Sequence, residues 1–458
     1  MREYYAVLDI GSRMITMALR LFDAQGVEEN TVYAAVESHG IVNMTIDNNP
    51  QIVTRIKQLC AILKAKTGVE IKEVYVSYVG DTISVVEYKN SVLCTGITAN
   101  HTSAKAEDIR KLENSYRDYA QNPDMVVIDH LALEYKKDDR VCPYEDLLGT
   151  YAKNISCRFL LFLAQRVHYE RLEIALKGAN LKCAGIYVGL RACGAYLVNK
   201  NERAQALVYL DDGHSEIGFY ENGILVRYEW KLGGWEGIRQ KLLEEDRYLR
   251  PIDLDIKYLE TLDLTAFKPE WFEKGNNERT KLKRVGSHLN VDYLVNFREV
   301  FAGKWNINLP LKHGGGVILT GVISAIKGIS DFFNLCLSRK LDAAELYTIK
   351  VAEHNQLEKW EACQPQDANK PLNAFATLIG MLQLLKEEKM PKTTITDGSE
   401  QEEEAAGTSA EDAVQKEEEQ EARGGKLSSA WHGFNDFIKR ILGDDLTSYD
   451  SDKEDNGR

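Results

Sequence analysis

Three things are scarce in these 458 residues. No run reaches the roughly 18 to 20 apolar residues that a membrane-spanning helix needs, and Asp9 and Arg13 break the apolar N-terminal stretch, which therefore does not read as a secretory leader. Positive charge is short: 57 Lys and Arg face 70 Asp and Glu, a formal net charge of −13. A nucleic-acid partner would need a basic face, so it is not expected as the main ligand. Cysteine pairing is also missing. Cys60, Cys94, Cys142, Cys157, Cys183, Cys193, Cys336 and Cys363 are scattered with no Cys-x-x-Cys spacing, a pattern that argues against zinc and dithiol redox chemistry and for small buried hydrophobes in a reducing compartment. The bulk of the chain is expected in the cytosol. What is plentiful is core material: 44% hydrophobic and 28% charged residues predict a large core and at least two domains.

The stretch Tyr5 to Gly26 reads as two strands around Asp9-Ile10-Gly11-Ser12, with a second turn at Asp23-Ala24-Gln25-Gly26. Leu207 to Gly223 repeats the pattern: Asp9-x-Gly11-x-x-x-Ile15 matches Asp211-x-Gly213-x-x-x-Ile217. One Asp-x-Gly alone is usually just a hairpin turn. Two copies about 200 residues apart suggest a duplicated domain facing itself across a cleft. A turn glycine lets backbone N–H groups approach a phosphate, and an Asp at the strand end can hold Mg²⁺ through water. A third turn, Thr320-Gly321, follows the strand Gly314 to Leu319 and precedes a helix containing Ile326, Ile329 and Phe333; such a turn offers room for an adenine and ribose, though an ordinary strand-to-helix turn has the same form.

Between these turns, Ile52, Ile56, Leu59 and Leu63 recur at helical spacing over Pro50 to Gly68, and Glu73 to Gly80 alternates as a strand. From Asp81 to about Asp139 an insert is expected: a strand pair at Ser84 to Ile97, a helix from Ser103 to Gln121 and a strand at Met125 to Leu133. Cys157 to Ala164 is nearly all apolar and reads as a central strand. Tyr169 to Asn180 reads as a helix, Cys183 to Val188 as a strand, and Gly189 to Val198 as a helix whose Ala192, Gly194 and Ala195 permit close approach. Trp235 to Leu243 is helical, and the aromatics of Arg247 to Pro310 (Tyr258, Phe267, Trp271, Phe272, Tyr293, Phe297, Phe301 and Trp305) read as a local core. Pro371 to Leu385 is the last helix of the folded body, with Ala374, Ala376 and Gly380 on a small-residue face.

Residues 391–426 lose their large apolar side chains and read as a disordered acidic linker. Over Leu427 to Leu442 apolar residues return at helical spacing, with Trp431, Phe434, Ile438, Ile441 and Leu442 on one face and Phe437 at its edge. Lys426, Lys439 and Arg440 against Asp436 give three minus one, or +2, within a protein of −13. This composition fits an interfacial membrane anchor, and a helix for a partner groove is the alternative. An acidic end, Asp444 to Asp455, follows and repels anionic lipid.

Together these pieces resemble the actin/Hsp70/sugar-kinase ATPase superfamily and, within it, the FtsA family of bacterial cell-division proteins, over about residues 4–390 and the tail. Leu8 to Ser12 resembles the first phosphate loop, Val208 to Ile217 the second, Val317 to Gly321 the adenosine loop, and Pro371 to Leu382 the closing helix. The resemblance implies an α/β, actin-like (ribonuclease H-like, duplicated) ATPase fold with an FtsA-type inserted subdomain and a C-terminal amphipathic helix. Its expected segments are a first lobe at 1–80 and 156–200 around an insert at 81–155, and a second lobe at 201–234 and 306–390 around a small subdomain at 235–305. The linker at 391–426, membrane helix at 427–443 and acidic tail at 444–458 complete the order.

The resemblance also implies a site and partners. ATP would lie on Asp9, Gly11, Ser12 and Arg13 of the first turn, Asp211, Asp212, Gly213, His214 and Ser215 of the second, Gly233 and Gly234, and Thr320, Gly321 and Val322, with Mg²⁺ held through water by Asp9 and Asp211. Trp431, Phe434, Phe437, Ile438, Lys439, Arg440, Ile441 and Leu442 would meet the cytoplasmic face of the inner membrane at the division site. FtsZ and other divisome proteins would be partners, and filaments of the chain itself are implied. Departures stand out: the family's second loop usually runs Asp-Ile-Gly-Gly-Gly-Thr-Thr-Asp, whereas this chain has Asp211 and Asp212 where glycines are usual, with Tyr209 at the first Asp if the turn length is kept. Val322 replaces a second glycine of the adenosine loop. The expectation is a scaffold with weak or lost ATPase activity; the alternatives are a PilM-like pilus-assembly adaptor and a superfamily kinase, for which no general-base Asp stands out.

Overall fold

The computed structural model describes residues 3–389, apart from 24, 43, 79, 81, 99–100, 122, 150, 251–253, 255, 274–279, 354–359 and 365–374. The expected linker, amphipathic segment and acidic tail lie outside the described residues, as does the Pro371 start of the closing helix.

The chain opens with a three-stranded meander, β1 (Tyr4–Ile10), β2 (Met14–Phe22) and β3 (Glu28–Glu37). A small hairpin, β4 (Ile41–Val42) and β5 (Thr45–Ile46), leads to α1 (Asn49–Thr67). That helix starts where the Asn48 side chain accepts from Gln51 N at 3.2 Å with Pro50 in the first turn, and stops at Gly68, whose φ of 73° is left-handed. Ile52, Ile56, Leu59 and Leu63 form its buried face, as their spacing predicts. Then β6 (Glu73–Ser77) pairs parallel to β1.

The inserted segment follows, with β7 (Ser84–Leu93), β8 (Gly96–Thr98), β9 (His101–Ser103), α2 (Ala106–Asn114), β10 (Met125–Lys137), β11 (Arg140–Cys142) and β12 (Asn154–Gln165). It differs from expectation in three ways. The polar helix ends at Asn114 and continues as a tighter 3₁₀ turn over Ser115–Gln121; Ser84 to Ile97 is one long strand plus the start of a separate hairpin; and β12 belongs to the insert's own four-stranded sheet, ordered β11-β10-β12-β7. The insert therefore runs about ten residues further than the apolar run suggests. Its two faces explain why: Phe159 and Leu161 pack under α2 with Ile109 and Leu112, while Leu160, Phe162 and Ala164 pack on Leu190 and Tyr228 of the main body. A strand covered on both faces reads the same whichever sheet owns it.

Next come α3 (Arg166–Gly178), β13 (Lys182–Tyr187), α4 (Gly189–Leu197) and a second meander, β14 (Ala204–Leu210), β15 (His214–Glu221) and β16 (Ile224–Leu232). The segment α5 (Trp235–Glu245), α6 (Ile256–Thr261), α7 (Lys281–Leu289), α8 (Val295–Arg298) and α9 (Asn308–Lys312) leads to β17 (Val317–Thr320), α10 (Ile329–Ser338), β18 (Ile349–Val351), β19 (Glu361–Ala362) and α11 (Ala376–Lys389). Ile326 lies in the turn before α10 rather than in the helix. Phe267, Trp271, Tyr293, Phe297, Phe301 and Trp305 are buried with Phe332 and Phe333, and Tyr258 and Phe272 pack at the margin; the cluster also holds Val208 and Leu210 of β14, Phe219 of β15 and Leu319 of β17, so these aromatics share the core of the second sheet rather than form a local one.

The duplication is visible in the sheets. One is ordered β13-β6-β1-β2-β3-β19 and the other β16-β15-β14-β17-β18. In each an antiparallel meander is extended by parallel strands, with β1 beside β6 and β14 beside β17. Between them lie α4 and α11, whose small faces meet: a Cβ on Gly380 would fall 1.7 Å from Ala192 O, and Cys193 Sγ lies 3.5 Å from Thr377 Oγ1. Only glycine permits that approach.

Candidate functional site

The two meander turns face one another. In the first, Gly11 N donates to Met14 O at 2.9 Å, and a Cβ on Gly11 would meet that oxygen at the same distance. Asp9, at the end of β1, accepts a hydrogen bond from the Ser77 hydroxyl at the end of β6. Burial pushes its carboxyl up to about 6; the Ser77 bond opposes that shift and the Asp211 charge adds to it.

The second turn is braced by the start of α5. Trp235 N donates to Asp211 O at 3.2 Å, Glu236 N to Asp212 O at 2.9 Å and Gly233 N to Gly213 O at 2.9 Å. A Cβ on Gly234 would fall 2.0 Å from Asp211 O. The N–H groups that could cradle a phosphate at a helix start are thus bonded to the chain itself. His214 is buried behind the turn, its ring stacked on Trp230 with centroids 6.1 Å apart. Nε2 lies 3.0 Å from Glu216 Oε1, and Tyr228 donates to Glu216 Oε2 at 2.8 Å. Burial lowers the His214 pKa, but the Glu216 hydrogen bond and charge outweigh it, and the net direction is upward. Asp211 and Asp212 are both raised, first by burial; His214 offsets this at Asp211 and Arg13 at Asp212.

Across the gap, Arg13 Nε pairs with Asp212 Oδ1 at 3.2 Å. Met44, from the β4–β5 turn, places Sδ 3.1 Å from where a Gly213 Cβ would stand, and Ser12 Cβ is 3.9 Å from that point. Around this contact Ser12 Oγ, Thr16 Oγ1, Thr320 Oγ1 and His214 Nδ1 are buried with no hydrogen-bond partner among the described residues. Buried polar atoms of this kind are costly unless another conformation or a ligand satisfies them.

The structure brings Asp9, Gly11, Ser12 and Arg13 together with Asp211, Asp212, Gly213 and His214. Ser215 is buried within β15, and Gly233 and Gly234 lie beneath the second turn. Thr320 and Gly321 end the strand beside β14, and Gly321, at φ 88°, has Leu210 O 2.5 Å from the position of a Cβ. Val322 packs against the cluster that holds Phe297, Phe332 and Leu319. Gly234 and Gly321 are therefore explained by the chain's own close approaches. Four carboxylates, Asp9, Asp211, Asp212 and Glu216, face two cationic groups, Arg13 and His214; in this closed arrangement the residues fit a triphosphate poorly. Among the described residues no three His, Cys, Asp or Glu groups cluster to hold a metal directly.

Met44, Ser77, Glu216, Tyr228 and Trp230 were not legible as site residues. Glu216 carried a signal, since it sits two residues after His214 on one face of a strand; Met44 carried none. Trp431, Phe434, Phe437, Ile438, Lys439, Arg440, Ile441 and Leu442 lie outside the described residues.

No protein-family model and no curated protein matches this sequence. Among solved structures, the PilM-PilN type IV pilus biogenesis complex is similar with a TM-score of 0.56, at 12% identity over 84% of this chain and 98% of that chain. MreB5 of Spiroplasma citri bound to ADP is similar with a TM-score of 0.44, at 9% identity over 84% of this chain and 97% of that chain. The ethanolamine utilization protein EutJ from Carboxydothermus hydrogenoformans has a TM-score of 0.42, at 11% identity over 78% of this chain and 87% of that chain. The chain has the actin-like ATPase fold.

Proposed function

We propose that this chain is a non-catalytic actin-fold adaptor of the FtsA type. It tethers FtsZ filaments to the cytoplasmic face of the inner membrane at the division site through its C-terminal amphipathic segment. The observation that carries the non-catalytic part is the closure of the two turns on each other. Arg13 meets Asp212, Met44 sits against Gly213, and the Trp235 and Glu236 amides at the start of α5 are bonded to turn carbonyls, so the two turns are engaged with each other and with α5. ATP and Mg²⁺, if admitted, open that contact and hold the lobes rather than undergo turnover.

The membrane part is supported by sequence. Six large apolar side chains over Leu427 to Leu442 contribute roughly 1 kcal/mol each on partial burial, and each of the nearby cations about 1 kcal/mol beside an anionic leaflet. One such segment binds reversibly, and several linked copies bind well. Vesicles of anionic lipid should pellet the full chain, and Trp431→Asp with Phe434→Asp should release it; equal pelleting of the variant removes the anchor from this reading.

A second reading is favoured by one observation, the likeness to PilM in the PilM-PilN complex. In this second reading the chain is an adaptor that binds a short segment of a membrane protein of a pilus assembly. Affinity capture decides: recovery of FtsZ supports the first reading, and recovery of pilus components without FtsZ supports the second.

A further inference from the structure

A strand edge with unpaired amides templates pairing with another chain, and proteins blunt such edges by shortness, bulges or proline. Most edges here are blunted. β11 and β18 have three residues each and β19 has two, while β13 and β16 carry register shifts where they join their sheets. The exception is β7: ten residues, no proline, and unbroken register against β12 from Leu93 opposite Asn154 to Ser84 opposite Leu163.

Its outward groups can be assigned by alternation. Cys94 N, just past the strand, donates inward to Lys153 O at 2.9 Å, whereas Ser91 N is taken by the Asn90 side chain at 2.8 Å. In an antiparallel ladder the direction alternates, so Val85, Glu87, Lys89, Ser91 and Leu93 turn their amides out of the sheet. On the face that packs on the main body through Leu160 and Phe162, at its solvent-accessible end, Glu134 stands opposite Arg158, and Arg158 opposite Lys89. That last pair sets two cations side by side, an unfavourable cross-strand neighbour. Glu87 reaches Arg158 diagonally at 3.4 Å, and Lys89 has no ion-pair partner among the described residues. The row Glu134–Arg158–Lys89 ends on a cation, with no further strand beyond β7 among the described residues.

We infer that β7 pairs antiparallel with β7 of a second copy of this chain, across a two-fold axis at Tyr88. This register joins outward amides to outward amides and sets Glu87 opposite Lys89 of the partner subunit, twice by symmetry. The row then ends on a carboxylate. Registers centred on Glu87 or on Lys89 put like charges opposite at the axis, and those centred on Val86 or Asn90 leave Glu87 and Lys89 without a charged residue opposite, so the charge pattern favours the Tyr88 alignment.

Sedimentation equilibrium of the full chain at low salt tests this. The native chain should form a reversible dimer. Glu87→Lys and Lys89→Glu should each weaken self-association by at least about tenfold, because each sets like charges opposite twice. The double variant, and an equimolar mixture of the two single variants, should restore association to within about threefold of native, because both arrangements return opposite charges to register. Restoration in the mixture also shows that neither variant failed to fold. A native chain monomeric at about 100 μM, single reversals without effect, or a mixture that stays monomeric overturns the inference.

Discussion

The two meander turns share a backbone and differ in chemistry. Both join antiparallel strands, and in both the first strand has a parallel neighbour on its other side. The first turn carries a hydroxyl and a cation, Ser12 and Arg13; the second carries two carboxylates and a histidine, Asp211, Asp212 and His214. Opposite charges on facing turns satisfy each other. The two turns thus share a scaffold while their side chains make an internal contact.

The glycines probe this contrast most strongly. Gly234→Ala places a Cβ 2.0 Å from Asp211 O, and displaced backbone leaves little relief, so a loss of roughly 3 kcal/mol or more is expected. Gly11→Ala, with its contact at 2.9 Å, should cost about 1 kcal/mol. Denaturant melts of both variants check the order; equal losses would mean the second turn is no more tightly held than the first.

The next effect is at the ion pair. Arg13→Ala leaves Asp212 largely buried without its partner and should destabilise by about 2 kcal/mol, less than a fully buried pair because Arg13 is partly exposed. Asp212→Asn should recover much of this in the double variant, and a double-mutant cycle measures the coupling. Additive losses would show that the two turns do not communicate.

A smaller effect is read through pH. The Asp9 carboxyl is raised to about 6 from 3.8, so folding favours its protonated form. Its contribution to stability is complete below about pH 4 and is lost as pH rises through about 6. Asp9→Asn should therefore stabilise the protein above pH 7 by about 1 to 3 kcal/mol, with the gain fading toward pH 4. Melts between pH 4 and 8 check the sign, and a gain that grows on acidification contradicts it.

Much of the fold could be read from the chain. Strand, turn and strand recur with the same spacing around Gly11 and Gly213, and a duplicated sheet is what that repeat implies. The small faces of α4 and α11 were visible in Ala192 and Gly380. The insert's boundary was not: the run Phe159–Ala164 of β12 is apolar throughout because it covers two cores, and nothing in its composition says which sheet it joins. The site was half legible. Local motifs placed both turns, but Met44 reaches Gly213 from a separate hairpin, and Ser77 reaches Asp9 from 68 residues away. Such contacts depend on tertiary approach, to which a local pattern is blind.

The most direct measurement is calorimetric titration of ATP with Mg²⁺ into the native chain, with hydrolysis followed in the same samples. The closed turns predict binding weaker than about 1 mM and no turnover, with tighter binding in Arg13→Ala/Asp212→Gly, where the ion pair is gone and a glycine faces the gap. Micromolar binding with steady hydrolysis by the native chain would contradict the account: the turns would then open readily to hold phosphate, and the cleft would be a working nucleotide site.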